Sequence, residues 1–176
     1  GINGLDEILN GGLIVGDAYL VRGGPGTGKT TLGLNFLEEG LKNGEEVLFI
    51  TLSEPKNKII RNGEKRGISS EDIKFLDLSP SGEFIENNEE YDIFPSSEVE
   101  RRPIINKIID QIKKNSPQRV FIDGLTQFRF LSPDNYQFRK NVLSLLQLMS
   151  QNQATLMIVS EVGDNPDDDL QFICDG

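Results

Sequence analysis

The stretch that decides the fold is Gly23-Gly24-Pro25-Gly26-Thr27-Gly28-Lys29-Thr30. It fits the pattern G-x-x-x-x-G-K-[ST], in which glycines permit a tight turn whose backbone N–H groups face a phosphate. The strand-like run Ala18–Arg22 precedes the loop, and the helix-like stretch Lys29–Lys42 follows it. At this chain's residue frequencies the pattern should arise by accident only about once in a hundred such sequences. The stretch therefore predicts a phosphate-binding loop between a strand and a helix.

The residues of this loop are predicted to hold the phosphates of a nucleotide. The predicted binding set is Gly24, Pro25, Gly26, Thr27, Gly28, Lys29, Thr30 and Thr31. Backbone N–H groups at the positive end of the following helix attract phosphate oxygens. Lys29 is expected to reach the β- and γ-phosphates and to act in catalysis, while the Thr30 hydroxyl is expected to ligate Mg²⁺. The alternative, a glycine-rich turn with a surface lysine, is disfavoured by the flanking strand and helix.

Short apolar runs alternate with amphipathic stretches along the rest of the chain. This pattern predicts an α/β fold with a mostly parallel central sheet flanked by helices. The predicted strands cover residues 18–22, 47–52, 73–78, 119–123 and 154–160. Helical spacing of apolar residues predicts helices over residues 29–42, 98–114 and 136–151. The whole chain, residues 1–176, is expected to form a single domain.

Residues 79–97 break this alternation. The segment combines prolines, asparagines and glutamates with little periodicity. Loops longer than about 12–15 residues are uncommon in compact domains unless they are functional or disordered. We therefore expect a long, exposed, disordered loop here.

Two carboxylates complete the predicted site. Asp123 ends the apolar run Arg119–Asp123, as a Walker B segment would, and is the candidate second residue for holding Mg²⁺. Glu54 follows the second predicted strand and precedes Pro55, which places it at the edge of the sheet where ligands bind; there it could polarise the attacking water. The alternatives are a turn residue for Asp123 and an acid that stabilises a helix N-terminus for Glu54.

Composition excludes several other classes of site and partner. The chain has 18 basic and 28 acidic residues, a net charge of −10, which disfavours nucleic-acid binding because an acidic surface repels phosphate backbones. One cysteine and no histidine exclude an internal disulfide and a Cys/His zinc site. The apolar runs are too short to span a membrane, and a cytoplasmic location is expected. The sequence starts with Gly1 and stops after Asp175-Gly176, which we interpret as a segment truncated at both ends.

The chain resembles the opening of a KaiC-type ATPase domain of the RecA superfamily, which also contains RadA and the DnaB helicases. The resemblance is carried first by residues 1–9, 11–13, 23–30, 35–37 and 44–51, and more loosely by 120–126, 158–161 and 175–176. It implies a RecA-type core, bound Mg-ATP and hexameric rings with ATP between neighbouring subunits. In such domains a Lys-x-Arg element that reaches the neighbour's γ-phosphate lies beyond the Asp-Gly pair, outside this sequence.

Two departures from the family pattern affect the expected activity. KaiC domains carry two consecutive glutamates after the second strand, of which one activates the lytic water, whereas this chain has Ser53-Glu54. Glu54 matches the second position, and the resemblance strengthens its predicted catalytic role. The autokinase half of KaiC phosphorylates an adjacent Ser-Thr pair in the segment that corresponds to residues 162–174, where this chain has neither residue. Autophosphorylation of that kind is not expected.

Three hypotheses for function follow. The first is a KaiC-like domain that binds and slowly hydrolyses Mg-ATP as a switch for assembly or for a regulatory protein partner. The second is a DNA-repair or recombination motor of the RadA or DnaB kind, which shares the nucleotide site but is disfavoured by the acidic charge. The third is an ATP-binding scaffold with negligible turnover, suggested by Ser53 and by the Lys-x-Arg element lying outside this sequence.

Overall fold

Five parallel strands form the sheet at the centre of this computed structural model, which describes residues 1–80, 98–130, 132–162 and 173–176. The strands are β1 (Ala18–Arg22), β2 (Val47–Thr51), β3 (Lys74–Asp77), β4 (Arg119–Asp123) and β5 (Thr155–Ser160). They lie side by side in the order β1-β5-β4-β2-β3, and every neighbouring pair is parallel. The parallel sheet predicted from the alternation is confirmed, and most of the expected loop at 79–97 lies outside the described residues.

Six helices surround the sheet in the described ranges. They are α1 (Asn3–Ile8), α2 (Lys29–Lys42), α3 (Lys56–Glu64), α4 (Glu98–Asn115), α5 (Leu125–Phe130) and α6 (Asn135–Gln151). The three helices predicted from periodicity are confirmed as α2, α4 and α6, with bounds within one residue. Periodicity missed α1, α3 and α5. Six residues are too few to display a helical repeat in α1 and α5, and α3 contains only two large apolar residues, Ile59 and Ile60. None of the described helices combines the length and apolar character that crossing a membrane requires.

Alternate residues of the strands pack into two separate hydrophobic cores, because successive side chains point to opposite faces of a sheet. On one face, strand residues such as Ile50 and Ile122 pack with Ile108 of α4 and Val142 of α6. The other face supplies a second set of strand residues to α2 and α3: Val47, Phe49, Phe121, Met157 and Val159. The result is three layers, with helices on both sides of the sheet.

Helix α2 lies unusually close to the sheet because two of its glycines face strand side chains. A Cβ atom at Gly33 would lie 2.2 Å from the ring of Phe121, and one at Gly40 would lie 2.8 Å from Val47 Cγ1. Any side chain at Gly33 would therefore force the helix or the ring to move. This close packing fixes the start of α2 beside the carboxyl end of β4.

The strand order brings separate parts of the sequence to one edge of the sheet. β5 separates β1 from β4, and β2 lies on the other side of β4. The carboxyl ends of parallel strands meet at the same edge, where open α/β sheets bind ligands. The loop after β1, Asp123 at the end of β4 and Glu54 just after β2 therefore meet there.

Candidate functional site

The loop between β1 and α2 has the backbone conformation that its glycines predict. Thr27 N donates to Gly24 O at 3.4 Å, with Pro25 and Gly26 as the central residues of the turn. Gly26 has a φ of 76°, so the turn resembles type II, which favours proline followed by glycine. Gly28, with a φ of 93°, precedes α2 without a side-chain cap. The first N–H groups of α2 thus have no side-chain oxygen competing with a phosphate.

The Lys29 side chain lies along this loop. Its Nζ donates to Gly23 O at 2.7 Å and to Gly24 O at 2.9 Å. The Thr27 hydroxyl also donates to Gly24 O, at 2.9 Å. The start of the loop is fixed to the sheet, since Gly23 N donates to Ser160 O at 3.2 Å. The amine is therefore held over the part of the loop that the sequence pattern assigns to phosphate.

Asp123 contacts the first turn of α2. The Thr30 hydroxyl donates to Asp123 Oδ2 at 2.6 Å, and the Ser53 hydroxyl lies 3.4 Å from Oδ1. Asp123 is only 9% exposed. Burial raises the pKa of its carboxyl and the charge of Glu54 acts in the same direction, while the hydrogen bonds from Thr30 and Ser53 oppose the shift. The structure thus brings together the two residues that the sequence assigned to Mg²⁺.

The donor set of Thr30 and Asp123 fits Mg²⁺. A hydroxyl and a carboxylate are the hard oxygen ligands that this ion prefers, and Mg²⁺ usually takes one or two protein carboxylates with water and phosphate oxygens completing the shell. Across the described ranges, no group of three or more Asp, Glu or Cys side chains is arranged to hold a metal by itself. A site at Thr30 and Asp123 would therefore depend on a bound nucleotide for its remaining ligands.

Glu54 lies across from the loop. Its side chain is 41% exposed, and Oε1 accepts a hydrogen bond of 2.6 Å from Lys58 Nζ, one turn into α3. Ion pairs at this exposure contribute little to stability, so the contact orients the carboxylate rather than holding the fold together. The Glu54 side chain also lines the cleft described next.

A cleft of about 260 Å³ joins these elements. It is lined by Gly26, Thr27, Gly28, Lys29, Thr30, Thr31, Leu34, Glu54, Ile59, Asn62 and Arg66. Of the predicted binding set, Gly24 and Pro25 are not part of this lining, although Gly24 O accepts the Lys29 and Thr27 hydrogen bonds. The cleft therefore connects most of the predicted phosphate loop with the predicted catalytic glutamate.

Sequence reasoning missed one wall of this cleft. Ile59 and Asn62 lie three residues apart on α3, and Arg66 lies in the turn that follows the helix. From sequence, the basic cluster of this stretch predicts only a solvated helix face: Lys56, Lys58, Arg61, Lys65 and Arg66. The only signal was their helical spacing after Glu54, which does not by itself indicate a ligand. Ser53 was also noted only as a replaced glutamate, not as a neighbour of Asp123.

Three features define a P-loop NTPase with a RecA-type core. They are the glycine loop after β1, its contact with the carboxylate that ends β4, and the position of β5 between β1 and β4. The chain belongs to the KaiC ATPase family, since the family model described as "ATPase: KaiC" matches residues 1–173.

Individual relatives agree with this assignment. The circadian clock oscillator protein KaiC of Parathermosynechococcus lividus is 31% identical over 169 residues, and that of Parasynechococcus marenigrum is 27% identical over 168. A UPF0273 protein of Thermotoga maritima is 29% identical over 170 residues. Each match covers 92% of this chain. The chain spans only 30% and 31% of the two KaiC proteins and 68% of the UPF0273 protein.

Proposed function

We propose that this domain binds Mg-ATP and hydrolyses it slowly, and that its nucleotide state controls assembly or the binding of a regulatory protein partner. The observation that carries the proposal is the 2.6 Å contact between Thr30 and Asp123, with Glu54 lining the same cleft as the loop. Family membership supports nucleotide binding. Hydrolysis is supported by the position of a carboxylate across the cleft from the phosphate loop.

The proposed chemistry assigns each residue one task. The loop N–H groups and the Lys29 amine bind the phosphates and stabilise the charge that builds up on the transferring group. Glu54 orients a water and accepts its proton, while the water oxygen bonds to the γ-phosphorus and the bond to the β–γ bridging oxygen breaks, giving ADP and phosphate. Thr30 and Asp123 would hold Mg²⁺, which supplies further positive charge to the β- and γ-phosphates.

Slow turnover is expected from the residues that follow β2. Ser53 precedes Glu54, so a single carboxylate is available in this turn to orient the water. P-loop NTPases that await a cationic residue from a neighbouring subunit also turn over slowly by themselves. We also propose a hexameric ring in the cytoplasm, with ATP at the subunit interfaces and a cationic residue of the neighbouring subunit completing each site.

The test is to measure nucleotide affinity, hydrolysis and molar mass together on the full-length protein with Mg²⁺. Lys29→Ala should lose ATP binding. Glu54→Gln should keep binding and reduce turnover by about a hundred-fold or more, the usual contribution of a general base. Glu71→Gln is the matched control because Glu71 is exposed and lies outside the cleft.

Two results would contradict the proposal. Equal turnover in Glu54→Gln and the parent protein would remove Glu54 from the mechanism. Strong stimulation of turnover by DNA in the full-length protein would favour a DNA motor, against the repulsion expected from a net charge of −10.

A further inference from the structure

Thr51, the last residue of β2, is a buried polar residue that the proposed mechanism does not use. Its exposed fraction is 0%. Its hydroxyl donates to Glu54 O at 2.6 Å and accepts from Glu54 N at 3.3 Å. A single side chain thus pairs with both polar main-chain groups of Glu54. Threonine and serine hydroxyls form such local turns, in which the side chain takes the place of a backbone group.

The backbone before Glu54 is fixed by the sheet. Thr51 is in register with Asp123 on β4 and with Asp77 on β3. Leu52 N donates to Asp123 O at 2.6 Å, and Leu78 N donates to Thr51 O at 2.9 Å. The position of Thr51 relative to Asp123 is therefore set by main-chain hydrogen bonds on both sides.

The backbone after Glu54 is fixed separately. Lys56 N, at the start of α3, donates to Asp77 Oδ2 at 2.7 Å. Glu54 lies in the short connection between these two fixed points, and the Thr51 hydroxyl bridges its main chain back to the strand end. The Thr51 hydroxyl therefore fixes the main chain of Glu54, and with it the position from which the Glu54 side chain extends, relative to Thr30 and Asp123.

We propose that Thr51 is a positioning residue for Glu54. It closes the turn that holds the glutamate opposite the phosphate loop, and its loss affects water orientation while leaving the phosphate loop intact. The inference rests on the proposed function, because it acts through the role assigned to Glu54. A carboxylate displaced by about 1 Å can cost a large factor in rate, so a rate effect of about ten-fold or more is expected.

The experiment compares Thr51→Val and Thr51→Ser in the full-length protein, each with and without Glu54→Gln. Thr51→Ala is the second variant if valine prevents folding. Affinity for a fluorescent ATP analogue and single-turnover hydrolysis are measured with Mg²⁺. Thr155→Val is the matched control, since Thr155 is 5% exposed, accepts a hydrogen bond from Gly16 N and lies at the opposite end of the sheet.

The proposal expects Thr51→Val to slow hydrolysis about ten-fold or more with unchanged nucleotide affinity, and to have no further effect in the Glu54→Gln background. Thr51→Ser should restore the rate. If Thr51→Val hydrolyses ATP as fast as Thr155→Val does, the inference is overturned and the proposed function stands. The same holds if Thr51→Val slows hydrolysis equally with Glu54 and with Gln at position 54. Absence of hydrolysis in the parent protein, or no effect of Glu54→Gln, overturns the role of Glu54 first and that of Thr51 with it.

Discussion

The Thr30 hydroxyl donates a 2.6 Å hydrogen bond to Asp123 Oδ2, joining the first turn of α2 to the end of β4. This contact joins the two halves of the proposed Mg²⁺ site. It also keeps the Asp123 carboxylate directed toward the phosphate loop, so little rearrangement is needed for both oxygens to face one ion.

Removing the charge of Asp123 should weaken the Mg²⁺-dependent part of nucleotide affinity. Asp123→Asn keeps the shape of the side chain and its capacity to accept from Thr30, but it removes the negative charge. We expect the Mg²⁺ concentration for half-maximal nucleotide binding to rise at least about ten-fold. Titration of Mg²⁺ at fixed nucleotide tests this; an unchanged midpoint would exclude Asp123 from the metal site. Asp77→Asn, at the end of β3, is the control.

The same substitution should stabilise the free protein near neutral pH. The folded state raises the pKa of Asp123 above its ordinary value of 3.8, mainly by burial, so ionisation opposes folding. This penalty is absent below pH 3.8, grows as the pH rises from 3.8 to the folded pKa, and is complete above the folded pKa. Without Mg²⁺, urea unfolding should therefore show Asp123→Asn to be more stable at pH 7, with a gain that disappears toward pH 4. A gain independent of pH would contradict this origin.

Gly33→Ala should destabilise the fold. Its Cβ would lie 2.2 Å from the buried ring of Phe121, and overpacking of this kind costs about 1–3 kcal/mol. The free energy of unfolding from urea titration measures the loss. Gly4→Ala in α1 is the matched control, because a Cβ there meets nothing within 4 Å. Adding Phe121→Leu should recover part of the loss in Gly33→Ala; no recovery would indicate another cause.

Asp77→Ala should loosen the start of α3. Asp77 Oδ2 accepts from Lys56 N at 2.7 Å, and Oδ1 accepts from the Ser79 N and hydroxyl. Loss of a carboxylate that caps a helix N-terminus costs about 1 kcal/mol. We expect that drop in the free energy of unfolding, together with faster amide exchange at Lys56. Asp77→Asn retains one of the two acceptor oxygens and should lose less stability than Asp77→Ala.

Much of the fold was predictable from local pattern. The glycine loop and the apolar runs determined β1, α2 and the parallel sheet, because each feature is long or specific enough to be recognised by itself. The order of the strands was not predictable in this way, since it depends on how the helices pack over both faces. The short helices α1 and α5 carry no measurable period.

The candidate site likewise contains residues that local pattern predicts and residues that it does not. Lys29, Thr30 and Asp123 were predicted from motif and strand end. The structure brings Thr30 and Asp123 into contact and holds Lys29 against the carbonyl of Gly23 in the loop. Asn62 and Arg66 could not be predicted, because only the tertiary packing of α3 against α2 turns them toward the cleft. The hydrogen bonds of Thr51 to Glu54 could not be predicted either, since threonine is common in strands for reasons unrelated to a functional site.

The contact between Thr30 and Asp123 closes a loop of 93 residues in the chain. Forming a contact of such wide sequence separation costs loop-closure entropy, which the packing of the sheet and its helices offsets. A peptide that contains only the glycine motif and α2 would consequently lack half of the metal site. Binding of Mg-nucleotide at the proposed site would therefore require both segments to be in place, and it would shift the folding equilibrium toward the folded state.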